Sequence, residues 1–135
     1  MGEMTLLEWT AAYIKYKDSV RGKIQGFAVD EKTSRIDITN KDGSKEVFIC
    51  PKMLNDLDVS KLKDEKIACL NKKENLNWLI SNWDSVKDKR CIFLFANPKK
   101  SENWAINPFM HSNVTDKSAL KPGLKSLFES ISEAD

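Results

Sequence analysis

The sequence predicts one domain of mixed α/β (α+β) class, residues 1–135, built as a five- or six-stranded mixed sheet with helices packed on it. Three observations carry this expectation. Residues 91–96, CIFLFA, are an unbroken apolar run that reads as a strand buried on both faces. Residues 67–96 join that run to an earlier apolar segment through a striped helix, the size of a parallel β-α-β crossover. Three segments between residues 24 and 50, separated by short polar links, read as an antiparallel meander.

The elements follow in order. Thr5 and Glu8 form a capping-box pattern, in which the hydroxyl takes an orphan amide and the carboxylate reaches back to the cap. Leu6, Trp9, Tyr13, Tyr16 and Val20 then make one apolar stripe, which Gly22 ends. Residues 24–29 form a strand interrupted by Gly26, residues 35–39 alternate with Ile36 and Ile38 inward, and residues 45–50 end at Pro51. Asp42-Gly43 supplies the positive φ of a tight hairpin. Residues 52–63 suggest a short irregular helix, and residues 67–70 a fourth strand. Asn71 with Glu74 repeats the cap pattern before Leu76, Leu79, Ile80 and Trp83, a stripe that leaves Trp78 outside.

Asn97-Pro98 stops the central strand, because proline offers no ladder donor and biases its predecessor away from helix. Residues 104–106 return as a short strand closed by Asn107-Pro108, and residues 109–114 read as loop. Asp116 caps a last helix with the stripe Leu120, Leu124, Leu127, Phe128 and Ile131, which starts afresh with Pro122 in its first turn. The tail from Ser132 is expected to fray. The order is α-β-β-β-(short α)-β-α-β-β-α, with one parallel crossover.

Composition bounds the function. At 41% hydrophobic the chain buries a real core, and its 22 basic against 20 acidic residues exclude the strongly basic footprint of a dedicated nucleic-acid binder. Any such role must rest on a local patch. Arg21, Arg35 and Arg90 are the only arginines, so bidentate contacts have few candidates. Cys50, Cys69 and Cys91 lie in apolar runs with no CxxC, which suits buried free thiols in a reducing compartment. No leader pattern and no apolar run of about 18 residues occurs, so a cytoplasmic chain without membrane contact is expected. The Met-Gly opening lacks the Ser or Thr of a myristoylation start, since Leu6 stands there.

Parallel strands at residues 67–70 and 91–96 open their C-terminal ends on one sheet edge, where α/β proteins bind ligands. That edge collects Asn71, Lys72, Lys73, Asn97, Lys99, Lys100 and Asn103 beside the amides of a helix N-terminus, an anion-binding arrangement. Trp104 begins there and offers a stacking surface. The simpler alternative makes the lysines solubilising loop residues and Trp104 core. No phosphate-binding glycine motif is present, and no cofactor is expected.

His111 is the single histidine, followed by Ser112 and, further on, Asp116, but sequence adjacency is not triad geometry and there is no GxSxG elbow. It reads as a hydrogen-bonded loop residue on the far side of the sheet. Alternation makes Asp37 and Glu46 solvent-facing partners of Arg35 and Lys45. No catalytic or metal-ligating set is assigned. Trp9 and Trp83 belong to helix stripes and read as core, whereas Trp78 with Tyr16 points to a protein interface or to intramolecular cover.

The α-β-β-β-α-β order of residues 5–96 resembles the core of the PD-(D/E)xK nuclease fold, a family that holds a divalent metal with an Asp on one strand and a hydrophobic-Glu-x-Lys on the next. Here Val47 and Phe48 follow Glu46, and Lys66 and Ile67 follow Glu65, so the Glu-x-Lys is not in place. The resemblance is topological and transfers neither metal nor activity. The functional expectation is a non-catalytic domain holding an anionic partner, nucleic acid foremost, at the lysine-rich edge. A protein-interaction or oligomerisation module centred on Trp78 and a degenerate nuclease fold are the alternatives.

Overall fold

The capping box at Thr5 forms as expected: Thr5 Oγ1 accepts from the Glu8 amide at 3.1 Å and Glu8 Oε1 from the Thr5 amide at 3.0 Å. It opens α1 (Leu6–Arg21) in a computed structural model that describes residues 4–114 and 117–134. Gly22, at φ 62°, ends the helix in the left-handed region that favours glycine. The strands are β1 (Ile24–Asp30), β2 (Arg35–Asn40), β3 (Lys45–Ile49), β4 (Lys66–Leu70), β5 (Ile92–Asn97) and β6 (Glu102–Ile106). Between β4 and β5 lie α2 (Lys73–Ser81) and α3 (Trp83–Val86), and after β6 come α4 (Pro108–Val114) and α5 (Leu120–Glu129).

The six strands form one open mixed sheet whose spatial order is their chain order. β1-β2-β3 is the expected antiparallel meander, with a bulge between Ile24 and Gly26, and β4 and β5 are parallel in full register. A second parallel pair, β3 with β4, was not anticipated; it is short, joining Phe48 to Lys66 and Ile49 to Ile67. β6 returns antiparallel to β5 and closes the sheet on that side.

Two cores sandwich the sheet. One face packs Ile67, Cys69, Phe93, Phe95, Trp104 and Ile106 against α2, α3 and α5. The other packs Ile36, Ile38, Phe48, Ala68, Leu94 and Ala96 against α1. Trp9 and Trp83 are core, as their stripes imply. The three cysteines are buried free thiols, and burial pushes Cys50 and Cys91 each up to about 11.

Several local expectations are corrected. Residues 52–63 form two 3-10 turns, Leu54–Asp56 and Val59–Lys61, instead of a helix. Asn71 does not cap α2; Lys72 holds that position without a side-chain bond. The stripe through Trp83 is broken at Asn82, which separates α2 from α3. Residues 108–114 are α4 because Asn107-Pro108 is a helix start: Asn107 Oδ1 accepts from the Met110 amide at 3.2 Å, and proline suits the first helical position. Pro122 does sit in the first turn of α5, whereas Asp116 lies outside the described residues. The tail does not fray at Ala134, which is buried with its amide on the Asn71 carbonyl at 2.9 Å.

Candidate binding surface

Parallel pairing brings the ends of β4 and β5 together, and there the chain meets its own tail. Asn71 is fully buried. Its Nδ2 donates to the carbonyls of Phe128 and Ser132, each at 3.2 Å, and its Oδ1 accepts from Trp104 Nε1 at 2.8 Å. Asn97, also buried, donates to the carbonyls of Ser132 and Glu133 at 3.2 and 3.4 Å. Lys100 Nζ reaches Ser132 Oγ at 3.2 Å, and the Ser132 amide donates to Glu102 Oε1 at 3.1 Å. Glu133 Oε2 accepts from the Lys73 amide at 3.3 Å, in the first turn of α2.

The predicted residues therefore divide. Asn71, Asn97, Lys100 and the Lys73 amide converge on the tail, Lys72 is half-buried, and Lys99 is exposed on the β5–β6 turn. Asn103 is exposed on the other face of the sheet, because it pairs with Ala96 while its neighbour Trp104 pairs with Phe95. Trp104 is not a stacking surface for a ligand: it lies 6% exposed and stacks on Phe95 at 4.3 Å. Trp78 is half-buried against the core, 6.1 Å from Phe93, and Tyr16 stands 77% exposed.

Tyr16 leads to a surface that the sequence did not reveal. α1 carries two apolar ridges, and the sheet takes the one through Trp9, Thr10 and Ile14, leaving Tyr16 and Val20 outside, Val20 at 87% exposure. Thr10 is tolerated in that contact because its hydroxyl donates to the Leu6 carbonyl at 2.7 Å. Among the described residues α1 is the only helix of the core on this face, so the β6 side stays open, and Asn103 and Ala105 are exposed there. A groove of about 550 Å³ results, lined by Met4, Trp9, Tyr13, Tyr16, Ser101 and Asn103 among others. Trp9 and Tyr13 stack at 5.1 Å, Trp9 Nε1 donates to Ser101 Oγ at 3.3 Å, and Lys17 lies 5.0 Å from the Tyr13 ring centre.

Tyr13 and Lys17 continue into a smaller cleft with Arg21, Lys23 and Lys66, beside a concavity of about 510 Å³ that adds Lys41 and Lys45. The carboxylates here are engaged internally. Asp18 accepts from the Lys23 and Ile24 amides, Asp42 from the Ser44 amide and hydroxyl, and Glu46 from Lys66 and Asn40. Glu46 thus pairs with Lys66 and not with Lys45, while Arg35 and Asp37 do form the expected surface pair. Burial raises the Glu46 pKa, but the bonds from Lys66 and Asn40 and the charges of Lys66 and Arg21 outweigh it and hold the carboxyl below its ordinary value.

Asp37 and Glu46 lie on opposite faces, since Glu46 registers with Ile38 and Asp37 with Val47. Among the described residues no group of three or more His, Cys, Asp or Glu is placed to hold a metal. His111, read as a loop residue, lies in α4 with its ring edge-on to Trp83 at 5.7 Å. No helix of the described residues is long and apolar enough to cross a membrane. No protein-family model matches the chain, and no curated protein or solved structure matches it significantly.

Proposed function

We propose that this chain is a non-catalytic binding domain for an anionic partner, single-stranded nucleic acid, in a cytoplasmic setting that its three unpaired thiols favour. The observation that carries the reading is the continuity of rings and cations along one flank of α1: Tyr13, backed by the buried Trp9, and the exposed Tyr16 run into Lys17, Arg21, Lys23, Lys41 and Lys45. Stacking platforms beside a cationic track are what a flexible polyanion with planar bases requires, and base stacking tolerates any sequence. The Lys99–Lys100 turn, next to Ser101 at the head of the groove, extends the track towards the lysine-rich edge. From Tyr13 to Arg21 the helix rises roughly 12 Å, room for a short stretch of strand.

Fluorescence anisotropy with a labelled single-stranded oligonucleotide tests this. Tyr16→Ala should weaken binding by about 1–3 kcal/mol as its stacking surface is removed. Replacing Lys17, Arg21 and Lys23 together by Gln should lower the slope of log affinity against log salt by about 0.7 for each phosphate no longer neutralised. Absence of binding at low salt, or variants indistinguishable from the parent, would remove the reading.

The exposed Tyr16 and Val20 also favour a second reading, a protein-interaction or oligomerisation surface, shifted from Trp78 to the outer ridge of α1. Light scattering of the same Tyr16 variant separates them, because only this reading makes the oligomeric state depend on that side chain.

A further inference from the structure

The segment leaving α5 does at the lysine-rich edge what a bound anion would do. It crosses the ends of β4 and β5 and places the Glu133 carboxylate on the first-turn amide of Lys73. Lys100 is drawn onto Ser132 Oγ, and the amides of Asn71 and Asn97 are spent on the segment's carbonyls. We propose that residues 130–134 are an autoinhibitory strap: Glu133 stands in for the anionic partner on the Lys73 amide, and the strap holds that amide and Lys100 engaged, on the edge that also carries Lys72 and Lys99, until it lifts.

Two features make the strap displaceable. Its hold on the edge is a handful of hydrogen bonds of 2.9 to 3.4 Å, with no strand ladder, and its apolar anchorage is limited to the buried Ala134 and the half-buried Ile131. Such segments open locally at far less than the cost of global unfolding. A tethered carboxylate also acts at an effective concentration in the millimolar range, so a weak contact suffices to occlude the edge against a single anion. A polyanion already engaged on α1 has the same advantage of tethering, and the Lys99–Lys100 turn lies at the head of its track. Release of the strap would then extend the bound length.

The proposal rests on the preceding reading for the identity of the partner, and the experiment separates the two. Two full-length variants are used. Ser132→Pro removes the amide that donates to Glu102, and Glu133→Gln removes the carboxylate while keeping the segment. Inorganic phosphate is titrated and the Lys73 amide followed by NMR, with the β4 and β5 amides reporting an intact fold. Oligonucleotide affinity is measured in parallel.

Phosphate should shift the Lys73 amide in both variants and not in the parent, and the variants should bind the oligonucleotide about tenfold more tightly, with a steeper salt dependence. A Lys73 amide that responds alike in all three proteins, or in none, overturns the strap whatever the oligonucleotide does. The expected Lys73 response with no oligonucleotide bound by any protein leaves the strap standing and removes the nucleic-acid reading.

Discussion

Asn71 shows what one buried carboxamide can organise. It joins β4, α5, the tail and Trp104 through bonds at both ends of its side chain. Asn71→Ala strands the indole N–H of Trp104 and the Phe128 carbonyl together, so it should lower stability by about 3 kcal/mol in urea titrations, well beyond a surface asparagine. In the sequence Asn71 looked like a helix cap because Glu74 follows it; its true partners lie 33 to 61 positions away, beyond the reach of local spacing. Glu46 carries a pH dependence at the same scale. Its folded pKa is depressed, so its contribution is complete above the ordinary value of 4.5 and is lost as pH falls through the lower folded value. Glu46→Gln should therefore flatten the acid limb of the stability curve below pH 4.5 while leaving the shape above it unchanged, as read from denaturant midpoints across pH.

At the scale of elements, α1 is the instructive case. Its cap and its stop at Gly22 were legible because both depend on near neighbours. Its buried face was not. The residues at spacings of three and four included Tyr16 and Val20, yet the sheet accepted the ridge rotated towards Thr10 and Ile14. Two apolar ridges on one helix, with only one able to face a flat sheet, were the available signal. Ile14→Ala should cost about 2–4 kcal/mol, whereas Tyr16→Ala and Val20→Ala should each stay within about 0.5 kcal/mol of the parent in urea midpoints. α4 was hidden for a different reason, since Asn-Pro both ends strands and starts helices, and only the Asn107 bond to Met110 decides which.

For the molecule as a whole, the mixed sheet, its meander and its β4–β5 crossover were readable from periodicity and turn chemistry. The brief β3–β4 pairing was not, because two residues of register leave no pattern. The basic cleft was equally hidden. Its members come from α1, the link after it, the β2–β3 hairpin and β4, and their overall charge is diluted by carboxylates that the fold turns onto amides and lysine. An unequal division of helices between the two faces, which no local window encodes, leaves the α1 flank open.

Because the strands stand in space in the order in which they occur along the chain, no strand must slip between two that are already paired. Each can add to the edge left by its predecessor, so the sheet can grow in one direction as the polypeptide is synthesised. Its neighbour contacts span short loops in the antiparallel pairs and one crossover in each of the two parallel pairs, so no pairing closes a loop longer than a crossover, and the two parallel pairings are the steps expected to be slow.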